Sequence, residues 1–120
     1  MKIEKFEDIQ AWQLARELVK ETYKLTRDKN CSKDYGFKDQ IQRSSISIMA
    51  NIAEGFDSQS DIGFVKFLNY SKRSTSEVQS HLYVALDQEY VIQEKFDELY
   101  EKCKEIKRLI GGFIRYLKKT

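Results

Sequence analysis

No proline interrupts this chain of 120 residues, and only five residues are glycine. Proline breaks helices by removing a donor and crowding the preceding turn, while proline and glycine together supply most tight turns. A chain with so little of either has few means of building many short strands or a βα alternation, so long helices are the natural outcome. The apolar spacing agrees. In residues 44–56, SSISIMANIAEGF, and the turn before them, Ile41, Ile48, Ile52 and Phe56 form one helical ridge. Met49, Ala53 and Ile46 widen that ridge to roughly half the circumference, beyond the ~100° stripe a surface helix needs. Arg43, Ser47, Asn51 and Glu54 fall on the opposite side as a polar row. Such a helix is buried on more than one side, which suggests a bundle that also packs against copies of itself.

The same reading predicts four helices. The first spans about residues 8–28, with Asp8 or Glu7 favouring its first turn and Ala11, Ala15, Leu18, Thr22 and Leu25 as its inner ridge. Trp12, Val19 and Tyr23 widen that ridge. After the polar connection DKNCSKDYG, the second helix spans about 37–54, with Gly55 supplying a left-handed residue after its end. Ser58 or Ser60 caps the third, which runs to about residue 87 with Phe64, Phe67, Leu68, Ser71, Thr75, Val78, Leu82 and Ala85 facing inward. The fourth covers 93–118 on a ridge of Phe96, Leu99, Cys103, Ile106, Ile110, Phe113 and Leu117, acidic at its start and basic at its end. Short links favour antiparallel neighbours, so the fold class is all-α, an up-down four-helix bundle. No linker, repeat or low-complexity stretch divides residues 1–120, which read as one domain.

Composition bounds the function. No apolar run approaches the ~18–20 residues of a membrane span, and MKIEKFEDIQ has no signal-peptide apolar region, so no membrane role and a cytoplasmic location are expected. Cys31 and Cys103 are far apart and suit a reduced compartment. With one histidine, His81, they make no ordinary zinc site, and no cofactor is expected. A net charge of +2 does not by itself indicate nucleic acid.

The segments FEDIQAWQLARELVKETYKLT and QIQRSSISIMANIAEGFDSQSDIGFVKFLNYSKRSTSEVQ carry a family likeness. They resemble the four-helix-bundle proteins encoded in intervening sequences of bacterial 23S rRNA genes, also called the S23 ribosomal protein family. The most specific piece is ANIAEGF shortly before Phe64, Phe67 and Leu68, with Trp12 upstream. The resemblance implies a ring-shaped homopentamer whose biochemical role is unsettled. The accessory proteins of diversity-generating retroelements look similar and bind nucleic acid and a reverse transcriptase. The chain departs from the usual pattern at four positions: Met49 replaces a proline, Ser58 a basic residue, Gly63 an acidic one, and Arg73 a glycine.

Three surfaces are candidates for function. In the polar row of the second helix, Arg43, Ser47, Asn51 and Glu54 read as an interhelical or subunit network, with Arg43 at the height of Glu77 on an antiparallel third helix. No nucleophile–base pair accompanies Asn51 and Glu54, so no enzymatic activity is expected. On the fourth helix Lys104, Arg108, Arg115 and Lys119 share one face, and residues 101–120 hold seven Lys or Arg against two Asp or Glu. Such a row suits phosphate, because each contact releases counterions. Gly111 and Gly112 interrupt it, and helix-interior glycines usually have a packing or approach reason. On the third helix Lys66, Tyr70, Arg73 and Glu77 point away from the core; the cations and tyrosine suit RNA, whereas Glu77 suits a subunit contact. Trp12 reads as a core or interface anchor. The leading expectation is a ring-forming scaffold that binds RNA or DNA. The alternative is a ring that docks another protein and has no nucleic-acid role.

Overall fold

The periodic ridges become four helices, and the computed structural model describes residues 3–119. They are α1 (Gln10–Arg27), α2 (Tyr35–Asp57), α3 (Asp61–Asp87) and α4 (Gln93–Lys118), preceded by a 3-10 turn at Phe6–Asp8. No strand occurs among the described residues.

The start of α1 differs from expectation. Asp8 does not cap it. Its carboxylate accepts from the backbone N–H groups of Glu4 and Lys5 at 3.1 and 3.3 Å, closing the 3-10 turn instead. Ile9, 2% exposed, breaks the path between turn and helix with an extended backbone (φ −77°, ψ 120°). Burying that side chain anchors the junction, and the Phe6 ring meets Trp12 edge-on at 5.2 Å.

Helix α2 begins two residues before Phe37, because the Asp34 carboxylate caps it by accepting from the Phe37 N–H at 3.2 Å. It also continues through Gly55 to Asp57, so Gly55 is not the left-handed terminator. The left-handed residue of this turn is Gln59, at φ 61°. Gly55 serves close approach: a Cβ there would lie 2.8 Å from Cδ1 of Phe64 and 3.0 Å from Cβ of Phe67. Of the two expected caps, Ser60 starts α3 by accepting from the Gly63 N–H at 3.0 Å. Ser58 closes α2 by donating to the Gly55 carbonyl at 2.6 Å.

Each helix is antiparallel to its chain neighbours, and α4 returns to α1. The seam of α1 and α2 holds Thr22 with Ser45 and Gln42 with Thr26, both at 3.0 Å. Between α2 and α3, Ser71 donates to the Ile48 carbonyl at 2.7 Å and Ser47 meets Ser74 at 2.8 Å. Lys107 of α4 reaches Ser76 and Gln79 of α3 at 3.0 and 3.2 Å. Glu21 and Glu17 of α1 pair with Lys95 and Lys102 of α4. Small hydroxyl residues on the first two seams let the helices approach closely, as ridge-and-groove packing requires. Among the described residues every buried side-chain nitrogen or oxygen has a hydrogen-bond partner, so these polar layers carry no desolvation penalty for an unmade bond.

The core between the seams is Leu18, Ile41, Ile48, Ile52, Leu68, Leu82, Leu99, Ile106 and Ile110, all without solvent exposure. Phe67 and Phe113, expected on the ridges, are half-buried, and Ile114 joins the core on α4. Ile46 lies outside at 41% exposure. The apolar arc of α2 therefore exceeds what its own chain covers.

Candidate nucleic-acid interface

The basic row of α4 is exposed along its whole length, but half of it is already neutralised. Glu101 pairs with Lys104 at 3.2 Å. Glu105 holds Arg108 through two hydrogen bonds, Nε to Oε1 at 2.7 Å and Nη2 to Oε2 at 2.6 Å. This contact pulls the Glu105 carboxyl below its ordinary pKa and raises that of Arg108. Both acids lie one helical turn before their cations, a spacing already legible in the sequence. Arg115 and Lys119 form no ion pair among the described residues. The Arg115 guanidinium lies across the glycine pair, 3.5 Å from a Cβ placed on Gly111 and 3.8 Å from one on Gly112.

On α3, Lys66 and Arg73 are exposed, each over an aromatic ring of its own helix: Lys66 5.8 Å from the Phe67 centroid, Arg73 5.6 Å from that of Tyr70. Aromatic faces attract cations electrostatically, so both are held outward with their charge intact. Phe64 meets Phe113 at 5.0 Å, and Ser76 meets Lys107. With the helices antiparallel, Lys66 falls near the height of Arg115 and Arg73 near that of Arg108. The rows thus occupy neighbouring helices at matching levels.

The polar row of α2 divides. Ser47 and Asn51 enter the α2–α3 seam, where Asn51 donates to the Ser47 carbonyl at 2.9 Å and to its hydroxyl at 3.0 Å. Arg43 does not reach Glu77. It pairs with Asp39, one turn back on its own helix, at 3.0 Å, because Asp39 offers a local partner at the i−4 spacing. Glu54 and Glu77 are exposed. Trp12 is half-buried beneath Arg16, whose guanidinium carbon lies 5.9 Å from its ring.

The cysteines are free and fully buried. Burial pushes the Cys103 thiol up to about 12 and raises that of Cys31, so neither is an activated nucleophile. No group of three or more His, Cys, Asp or Glu residues suited to a metal occurs among the described residues. None of their helices is long and apolar enough to cross a membrane.

Residues 7–112 match the family described as 23S rRNA-intervening sequence protein. The chain belongs to this family. A crystal structure of a protein of unknown function from the S23 ribosomal protein family of Bacteroides thetaiotaomicron VPI-5482 is similar over 87% of this chain and 97% of that one, at 26% identity and a TM-score of 0.78. No curated protein matches.

The four positions at which the resemblance to the 23S rRNA-intervening sequence protein family implies other residues have physical reasons or consequences here. Helix α2 runs unbroken through Met49, where a proline would remove a backbone donor. Ser58 is consumed by its bond to Gly55, so this turn carries no cation at that position. Gly63 is enforced by its neighbours: a Cβ would lie 2.7 Å from the Ser58 hydroxyl and 2.9 Å from that of Ser60. Arg73 adds an exposed charge where glycine would leave none.

Proposed function

We propose that this protein is a non-enzymatic, cytoplasmic scaffold that assembles as a homopentameric ring and binds RNA or DNA through α3 and α4. The observation behind the nucleic-acid reading is the set Lys66, Arg73, Arg115 and Lys119, exposed cations on neighbouring helices that form no ion pair among the described residues. Lys104 and Arg108 extend the set where phosphate displaces their local acids. Each patch is weak alone, and repetition around a ring multiplies it. Assembly is supported by Ile46, exposed on the outward side of α2 with Arg43 and Glu54. Two buried free thiols suit a reducing compartment.

A protein-docking ring is the second reading. It is favoured by Ile62 and Ile92, 87% and 68% exposed near opposite ends of α3.

Light scattering after size exclusion, at two salt concentrations with and without structured RNA, tests both readings. A salt-resistant pentamer that gains mass with RNA, and loses the gain when Lys66, Arg73, Arg115 and Lys119 become alanine, supports the scaffold. A monomer removes the ring. A pentamer indifferent to RNA turns the reading to protein docking.

A further inference from the structure

Among the described residues, no packing contact explains the two glycines of α4. A Cβ at Gly55 or Gly63 would collide with a neighbour, whereas at Gly111 or Gly112 it would meet only the flexible Arg115 side chain, at ordinary contact distance. Two adjacent glycines in a helix interior cost ~1 kcal/mol each relative to alanine, and here no packing among the described residues requires them.

Gly112 lines an open groove of about 860 Å³ between the start of α1, the α2–α3 turn and the last turns of α4. That size falls within the ~300–1,000 Å³ of typical small-molecule sites. Its apolar side includes the aromatic rings of Phe56, Phe64, Phe113 and Tyr116, the last 65% exposed. Arg108 and Arg115 line the groove from α4, before and after Gly112 in sequence, and Asp8 and Asp61 line it from the 3-10 turn and the start of α3. The Asp8 carboxylate already accepts two backbone N–H groups. The anionic end of a ligand is therefore directed to the two arginines.

We infer that this groove binds one nucleotide of a single strand, with its phosphate at Arg108 and Arg115 and its base against Phe113 and Tyr116 over the Gly112 backbone, which the flexible Arg115 guanidinium uncovers as it turns to the phosphate. Each part has a separate reason. Guanidinium groups recognise phosphate through paired donors, aromatic rings stack on any base, and a missing Cβ lets a planar group approach the helix. Charge complementarity decides the occupant: an uncharged apolar helix would leave Arg115 unused, whereas a phosphate engages Arg115 and takes the place of the Glu105 carboxylate on Arg108. The inference rests on the nucleic-acid reading above and names the unit that reading lacks.

The test uses the whole protein and a short fluorescent single-stranded oligoribonucleotide, followed by anisotropy, with Gly112→Ala and Tyr116→Ala. The alanine at 112 should raise the melting temperature, as helix propensity requires, yet weaken RNA binding about tenfold, the scale of one lost base–aromatic stack. Tyr116→Ala should weaken it similarly. Competition by a nucleoside monophosphate identifies a free nucleotide as a sufficient ligand; competition by longer strands alone identifies the polymer. Inorganic phosphate competing as well as the nucleotide overturns the aromatic part of the site and with it the inference. Wild-type binding that both variants retain overturns the inference and leaves the scaffold reading standing. Absence of any wild-type RNA binding overturns both. If Gly112→Ala changes oligomeric mass without changing RNA affinity, the glycine serves a second copy of the chain, and the nucleotide site is rejected.

Discussion

The Tyr90 hydroxyl donates a 2.6 Å hydrogen bond to the Asp34 carboxylate, the same side chain that caps α2 through the Phe37 N–H. The Tyr90 ring also packs 5.4 Å from that of Phe37. One contact thus ties the α1–α2 connection to the α3–α4 turn, across 56 positions of sequence. It also perturbs both groups. The bond from Tyr90, then that from Phe37, holds the Asp34 carboxyl below its ordinary 3.8, while Asp34 pushes Tyr90 up to about 12.

These shifts give stability two pH limits. The fold favours charged Asp34, so that contribution is present above the ordinary carboxylate pKa and lost as pH falls through the lowered folded value. It favours neutral Tyr90, so that contribution is full below pH 10 and lost as pH rises toward about 12. Urea midpoints measured across pH should show the acid limb flatten in Asp34→Asn and the alkaline limb flatten in Tyr90→Phe.

The glycines should respond in opposite directions. Gly55→Ala drives a methyl group into Phe64 and Phe67 and should destabilise by about 1–3 kcal/mol, outweighing the helix gain. Among the described residues Gly111→Ala meets only the long Arg115 side chain, and it should stabilise by about 0.5–1 kcal/mol. Thermal melts of the two variants suffice; equal signs would show that the α2–α3 approach does not require glycine.

Thr22→Val removes a hydroxyl from the α1–α2 seam. Ser45 keeps its bond to the Gln42 carbonyl at 3.1 Å, so no buried group is orphaned and the cost should stay at about 1 kcal/mol. Ser71→Leu, at a fully buried position whose hydroxyl donates to the Ile48 carbonyl across the α2–α3 seam, should cost about 1–3 kcal/mol through overpacking. Denaturant titration of both variants ranks the two seams.

Glu105 restrains Arg108, so Glu105→Gln should release a cation to the α4 row. Affinity for RNA should rise, and the slope of log K against log salt should steepen by about 1. Unchanged binding would show that this part of α4 does not meet phosphate.

Cys103 should resist alkylation in the folded protein and react once denatured, since its thiolate is disfavoured by burial. Mass spectrometry after a short exposure to iodoacetamide distinguishes the two states.

Much of the fold is written in local pattern. The 3–4 spacing of Leu18, Ile48, Leu68 and Ile106 with their neighbours identifies four helices and their inner faces, because burial of one stripe is a property of the helix alone. The bounds of α3 and α4 follow from the same spacing and from the Ser60 cap. Cations at helical spacing on α4 are likewise legible, as are the acids one turn before two of them.

Tertiary structure decided what depends on a second element. Gly55 lies inside α2 and must lack a Cβ because Phe64 and Phe67 of another helix approach it; in sequence it reads as a terminator. Arg43 takes Asp39 rather than Glu77 because a partner on the same helix costs less side-chain entropy than one across a seam. Asp34 and Tyr90 meet only because two connections share one end of the bundle. The groove beside Gly112 exists only where three segments converge. Periodicity describes one helix against an apolar environment, whereas close approach, partner choice and concavity belong to pairs and triples of elements.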